Sequence, residues 1–170
     1  MKNRVAIGQK TLLWAILIMI LPVLGACQKD LGIDEADTID LKDIPENPEY
    51  ANLPLVGTSW KLLGFADIKT GKVKKVKPGS PHSYSLNFTN EGDIWGHTSA
   101  NTIKGKYELF NEANKINVLA FTAITYVNEM GEPIDYQEAM INVNRFHVTS
   151  LGLSLYYDSE SFLLFRPLTE

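Results

Sequence analysis

Apolar and polar residues alternate with period two through most of the chain after residue 53. Tyr84, Leu86 and Phe88 alternate with Ser85, Asn87 and Thr89, the pattern of a strand with one buried face. Leu151, Leu153, Leu155 and Tyr157 repeat it. After Asp158-Ser159-Glu160 the apolar run 162–165 returns as the second arm of a hairpin. Shorter signals fill the interval. Residues 60–65 open the series, and Thr70-Gly71 turns into the lysine-rich stretch 72–77. Pro78-Gly79-Ser80-Pro81 breaks the pattern, and Asn90-Glu91-Gly92 leads into a strand starting at Ile94 and Trp95. Residues 103–110 and 115–119 form a further pair across the turn 111–114.

One segment changes period. In 133–145, Tyr136, Met140 and Val143 fall at helical spacing, with Ile134 and Ala139 near that face. Asp135 followed by Glu138 resembles a capping box with Asp in place of Ser or Thr. A single amphipathic helix among short strands predicts a mostly β, α+β fold, compact and antiparallel, with the helix covering one opening or face of a curved sheet.

The first 52 residues lack this rhythm. Lys2, Arg4 and Lys10 precede a nearly continuous apolar run, 11–24, and Gly25 and Ala26 follow. A basic start, an apolar centre and a small-residue exit read as a secretory signal. The run is shorter than the roughly 20 residues of a spanning helix. Leu24-Gly25-Ala26-Cys27 resembles the bacterial lipobox, which implies that 1–26 is removed and that Cys27 is acylated as the first mature residue. A free thiol or an intermolecular disulfide is the other use of a lone cysteine. With Cys27 consumed, no second cysteine remains for a disulfide, a thiolate metal site or a cysteine nucleophile.

Residues 27–52 carry eight Asp and Glu against Lys29 and Lys42, with Pro45 and Pro48. Such a composition predicts an extended, solvated tether that holds a domain off a membrane. Gln28-Lys29-Asp30 resembles the acidic export signal of surface lipoproteins in Bacteroidetes. Asp37-Thr38-Ile39 resembles a short O-glycosylation motif of the same phylum, which makes Thr38 a candidate acceptor.

Charge adds little to the body. Five of sixteen basic and eight of twenty acidic residues precede Leu53, leaving eleven against twelve in 53–170. Near-balance supplies no whole-domain attraction for nucleic acid. Lys69, Lys72, Lys74, Lys75 and Lys77 form one basic cluster. It reads as a sheet edge protected against pairing, with an acidic glycan, an anionic lipid or the chain's own acidic tether as alternative partners. Asn87-Phe88-Thr89 fits an N-glycosylation sequon, which carries little meaning in a bacterial lipoprotein.

Catalytic patterns are missing. His82, His97 and His147 lack metal-ligand spacing, and His147 reads as an outward strand residue. Neither a Gly-x-Ser-x-Gly elbow nor a phosphate-binding glycine loop occurs. The carboxylates are scattered at turns, so no glycosidase pair can be nominated. The expectation is no catalytic residue, no metal, no cofactor and no enzyme activity.

Several segments together resemble one family. Gly57-Thr58-Ser59-Trp60-Lys61-Leu62 is similar to the opening G-T-x-W-x-L strand of the META domain, also called HslJ-like. The stretch from Gly96 through Asn101 and Gly105 to Tyr107 is similar to that family's G-x-x-x-x-N-x-x-x-G-x-Y element. Thr122-Ala123-Ile124-Thr125, one helix and a terminal hairpin follow in the family's order. The resemblance implies a compact, barrel-like antiparallel domain over 53–170, with Gly57, Trp60, Asn101, Gly105 and Tyr107 as structural positions. Ala100 stands where relatives often carry a cysteine, so their disulfide is missing here. A lipocalin resemblance is weaker, because two residues separate Gly57 from Trp60 where the lipocalin signature has one.

These readings converge on a lipid-anchored envelope protein, outer-membrane and surface-exposed, whose tethered β-domain binds or assembles rather than catalyses. Its expected partners are the membrane, through the lipid, and an envelope protein or glycan, with no nucleic acid. A lipocalin-like carrier of a small apolar ligand and an envelope hydrolase are the alternatives. A cavity in the sheet would favour carriage, and a filled core would favour protein interaction.

Overall fold

A computed structural model of the chain describes residues 37–110 and 114–168. The signal 1–26, Cys27 and the export-signal resemblance at 28–30 lie outside the described residues. Among the described residues no helix is long and apolar enough to cross a membrane.

Among the described residues ten strands and one α-helix follow each other as β1 (Thr38–Asp40), β2 (Ser59–Asp67), β3 (Lys72–Lys75), β4 (Ser85–Phe88), β5 (Asp93–His97), β6 (Thr102–Leu109), β7 (Ile116–Ala123), α1 (Glu132–Ile141), β8 (Arg145–Thr149), β9 (Gly152–Tyr156) and β10 (Ser161–Pro167). The sheet order is β7-β6-β5-β4-β2-β10-β9-β8, and every pairing between strands is antiparallel. Its two ends meet where Lys115 bridges Arg145, flanked by Phe146 N–H donating to Asn114 O at 2.9 Å. The sheet therefore curls into a barrel-like wall, and α1 packs against β7. The expected mostly β fold with one helix is the fold of the protein.

Strand β2 organises the wall. Its first half pairs with β4 and its second half with β3, while β10 runs along the other edge. The inward residues Trp60, Leu62, Leu86, Phe88, Ile94, Ile103, Leu153, Leu155, Leu163 and Phe165 join one apolar core. Helix α1 inserts Tyr136 and Met140 into the same core, with the Tyr136 ring edge-on to Tyr84 at 5.6 Å and to Phe121 at 5.5 Å. The interior is filled with side chains.

Helix α1 is shorter than predicted. Gly131 is its N-cap without any side-chain bond, so Asp135 and Glu138 form no capping box. Asp135 instead sits in the first turn, where the helix dipole favours a carboxylate. Asn142 ends the helix, its side chain donating to Glu138 O at 2.8 Å. Arg145, expected to be helical, opens β8, and the alternation predicted to start at Leu151 becomes β9 from Gly152.

The tether expected over 27–52 is corrected for its described part. Residues 37–53 wrap the outer side of β2, β3 and β10 in two 3-10 turns, Leu41–Asp43 and Pro48–Asn52, preceded by β1. Ile44 is buried in a second apolar cluster with Ala66, Val73, Phe162 and Leu164. The segment is fastened by Asn47 N–H to Ser150 O at 2.9 Å, Ser150 Oγ to Glu46 Oε2 at 2.6 Å, and Arg166 to Pro45 O. Mean composition hid these few apolar anchors, because Ile39, Leu41 and Ile44 are diluted by eight carboxylates.

The lysine strand is corrected too. Strand β3 is not a free edge, since β1 pairs with it at Thr38↔Lys74, Ile39↔Val73 and Asp40↔Lys72. Lys77 Nζ lies 2.5 Å from Asp37 Oδ2. Its partner is the chain's own acidic segment, one of the alternatives open in the sequence.

Candidate functional site

The least ordinary side-chain constellation lies where the β5–β6 turn meets the loop between β7 and α1. Thr98 and Asn101 close the turn, with Thr98 N–H donating to Asn101 O at 2.9 Å and Asn101 N–H to Thr98 Oγ1 at 3.0 Å. Both residues are buried, so their polar atoms need partners. The loop supplies them. Asn101 Oδ1 accepts from Val127 N–H at 2.7 Å and from Thr125 Oγ1 at 3.0 Å. Asn101 Nδ2 donates to Val127 O at 2.8 Å and to Glu129 Oε2 at 2.7 Å.

Glu129 completes the junction. Its carboxylate also accepts from Thr98 Oγ1 at 2.8 Å, Ser99 Oγ at 2.6 Å and Ala100 N–H at 2.7 Å. Burial by itself raises the carboxyl pKa, but the bonds from Ser99, Asn101, Thr98 and Ala100 outweigh it, and the pKa lies below its ordinary value. Glu129 is thus a partly buried anion seated in a cup of donors.

This anchored loop borders an open groove of about 390 Å³, lined by Ala123, Tyr126, Val127, Ile134 and Gln137 beside Asn101 and Glu129. Above it stand apolar side chains in water. Tyr126 is 95% and Met130 81% exposed, with Ile124, Val127 and Ile134 about half exposed. A smaller depression of about 280 Å³ lies between Phe65, Tyr157 and the helix residues Asp135 and Glu138.

A second polar group lies at the start of β4. Lys61 Nζ donates to Pro81 O at 2.7 Å, to Ser80 O at 3.2 Å and to Ser83 O, pinning the loop before Tyr84. Ser85 Oγ lies 3.0 Å from His97 Nδ1, a separation suited to proton transfer. Burial and then the charges of His82 and Lys61 hold the His97 pKa below its ordinary value, and Ser85 itself is buried. The Lys61 ammonium nearby opposes the imidazolium that a serine hydrolase must form, and among the described residues no hydrogen bond from the ring to a carboxylate orients it. Among the described residues no three His, Cys, Asp or Glu side chains converge as metal ligands. His147 packs edge-on against Tyr156 at 5.8 Å.

The positions singled out in the sequence serve the fold. Trp60 is fully buried and its Nε1 donates to Leu55 O at 3.1 Å. Gly57 has φ +85°, a backbone state in which a β-carbon is strained. A β-carbon on Gly105 would lie 2.4 Å from Ala120 O, so β6 can approach β7 at that point only without a side chain. Tyr107 donates from its hydroxyl to Thr89 O at 2.6 Å. Asn101 secures loop backbone, as a turn asparagine does. Thr38 is different: its Oγ1 is buried within β1 without a hydrogen-bond partner, so the folded chain does not offer it for glycosylation. Glu129, Tyr126, Met130 and the Ser85–His97 contact carried no sequence signal, because each acquires meaning from residues brought near by folding.

No protein-family model matches the chain, and no curated protein is significantly similar to it. Solved structures do share its fold. A DUF4847 family protein from Bacteroides vulgatus ATCC 8482 gives a TM-score of 0.51 at 14% identity, over 65% of this chain and 92% of that one. A protein from Burkholderia xenovorans, solved by NMR, gives 0.53 at 22% identity, over 74% and 91%. At such identities the likeness concerns the fold alone.

Proposed function

We propose that the chain is a lipid-anchored envelope lipoprotein working as a non-catalytic binding or assembly module. In this reading acylated Cys27 fixes it to the outer membrane, and its META-like β-domain engages a protein partner through the crest of Tyr126, Val127 and Met130. The observation that carries the reading is the exposure of Tyr126 and Met130 on a loop whose backbone is held by Asn101 and Glu129. Large apolar side chains grouped in water mark interaction surfaces, and a pre-set backbone lowers the entropy cost of docking. Glu132 and Asp135 in the first turn of α1 lie next in the chain, so a basic rim on the partner complements this one.

The filled interior supports protein contact over carriage of an apolar ligand inside the barrel, since Trp60, Tyr84, Phe88 and Tyr136 occupy that space. A buried Ser85 facing a partly buried His97 with the Lys61 ammonium nearby supports a non-catalytic role over hydrolysis.

Two measurements test the reading. Cys27→Ser should remove acylation and release the protein from membranes; an unmodified Cys27 in membrane-bound wild type overturns the anchor. A photo-crosslinking side chain at Tyr126 should trap one defined envelope protein in intact cells, and Met130→Asp should abolish the adduct. Equal labelling from a probe at exposed Lys72 would show that the crest has no specific partner.

A further inference from the structure

Trp95 is 40% exposed, while its neighbours Ile94 and Gly96 face inward. A lone exposed aromatic needs no explanation. Its register does. Trp95 pairs with Asn87 on one side and Lys104 on the other, Asn87 pairs with Ser59, and Lys104 with Thr122. Ser59, Asn87, Trp95, Lys104 and Thr122 therefore form one row across β2, β4, β5, β6 and β7, about 19 Å long at the usual strand spacing.

The row is built of hydrogen-bonding groups around one flat ring. Ser59 Oγ donates to Asn87 Oδ1 at 2.6 Å, which fixes the amide. Lys104 Nζ lies 4.9 Å from the centre of the Trp95 ring. The next rows are polar too, with Asp93 and Lys106 paired at 2.7 Å on one side and His97 opposite Thr102 on the other. A protein hot spot sets its tryptophan among contacts that exclude water. Here every other member of the ring's own row is an amide, hydroxyl or ammonium side chain, and the apolar residues of the next rows, Ala120 and Ile124, lie out on β7 and at its end rather than beside the ring. Nucleic acid is disfavoured as well, because Asp93 offsets Lys106 and Lys61 is turned onto the carbonyls of Ser80, Pro81 and Ser83, which leaves Lys104 as the ammonium beside the ring and too little positive charge for a phosphate backbone.

We infer that this row is a glycan-binding face, taking a short oligosaccharide of gluco-configured, equatorial sugars. Such a sugar is apolar on its C–H face and rich in hydroxyls at its edge. The ring of Trp95 takes the C–H face, since an indole is a large, rigid apolar surface with a polar edge. Asn87, Lys104, Thr122 and Ser59 bond the hydroxyls on either side. The inference goes beyond the protein-binding reading and uses different side chains from the crest, so either can fail without the other.

The test is titration of the full-length chain in detergent with chitohexaose, with cellohexaose and maltohexaose alongside, followed by tryptophan fluorescence and calorimetry. Saturable binding in the millimolar range or tighter is expected for at least one of the first two. Trp95→Ala should weaken it by about tenfold or more without lowering the melting temperature, because the ring lies on the outer face. Asn87→Ala and Thr122→Ala should each weaken it several-fold, and Met130→Asp should leave it unchanged. Absence of saturable binding to all three sugars, or binding that survives Trp95→Ala, overturns the assignment. So does loss of binding in Met130→Asp, which would place the glycan at the crest.

Discussion

The side-chain amide of Asn101 pairs with the peptide of Val127 through both of its ends: Oδ1 accepts from Val127 N–H at 2.7 Å and Nδ2 donates to Val127 O at 2.8 Å. A side chain here takes the place of a neighbouring strand and holds the loop between β7 and α1 at a fixed height over the β5–β6 turn. The same amide accepts from Thr125 and donates to Glu129, so its two lone pairs and two protons are all used. Aspartate has the shape but lacks the donors.

Asn101→Ala should therefore cost more than the loss of one surface contact. It leaves Val127 N–H and C=O without their partner; an unpaired buried group costs about 1–3 kcal/mol, and water reaching the half-exposed Val127 keeps each of these part-buried groups at the low end of that range. Asn101→Asp should be at least as damaging, because a second carboxylate would face Glu129. Denaturant midpoints should fall for both variants, and hydrogen exchange at the Val127 amide should accelerate ahead of the core. Unchanged exchange at Val127 would mean that the loop is held by something else.

Acid should loosen the same junction. The folded-state pKa of Glu129 lies below its ordinary value, so its ionised form stabilises the fold at neutral pH. That contribution is present above the unfolded pKa and is lost as pH falls through the lower folded one. The expected result is a drop in stability on the acid side of the ordinary glutamate range, with protection of the Val127 amide lost early. Glu129→Gln should be less stable at neutral pH and flatter across that acid window. A wild-type profile with the same acid slope as Glu129→Gln would remove Glu129 from the account.

The strand rhythm was legible because each hairpin arm has one wet face. The alternation of 84–88 and of 151–157 carries that directly, and the filled barrel follows from their inward sides. Even there Tyr84 adopts φ +55°, outside the strand, and Ser85 is buried against His97. Residues 162–165 held an unread clue. Four consecutive apolar residues in a strand need cover on both faces, and Leu163 and Phe165 go to the barrel while Phe162 and Leu164 go to the outer cluster. Their cover is 37–53, whose acidity pointed to a tether. The candidate site was less legible still. Asn101 stood out through family resemblance, but Glu129 is 28 residues away in sequence, and no local pattern announces such a bond.

Ile44 gives the direct test of that outer cover. It is buried against Val73, Phe162 and Leu164, and large-to-small changes at such sites cost about 2–5 kcal/mol. Ile44→Ala should lower the unfolding midpoint and open 37–53 to proteases, whereas the wild-type segment should resist cleavage there. Lys77→Ala should do far less, since an exposed ion pair such as Lys77–Asp37 contributes about 0–1 kcal/mol. Equal protease sensitivity of wild type and Ile44→Ala in 37–53 would restore the tether.

Trp60 is the residue on which the barrel should depend most. It lies at the first half of β2, where the strand pairs with β4 on one side and β10 on the other, and its side chain is wholly inside. Trp60→Ala should cost about 3–5 kcal/mol, comparable with the low end of the stability of a whole domain. Much of the population should then be unfolded at physiological temperature. Trp60→Phe separates the two contributions: it keeps an aromatic ring in the core but leaves Leu55 O without the Nε1 donor, at a cost of about 1–3 kcal/mol plus that of the smaller ring. Met140→Ala, removing a fully buried helix side chain, should fall between these variants. Thermal and denaturant unfolding should rank them Phe, then Met140→Ala, then Trp60→Ala in increasing damage. A Trp60→Ala protein that melts with the wild type would show that the core is centred elsewhere.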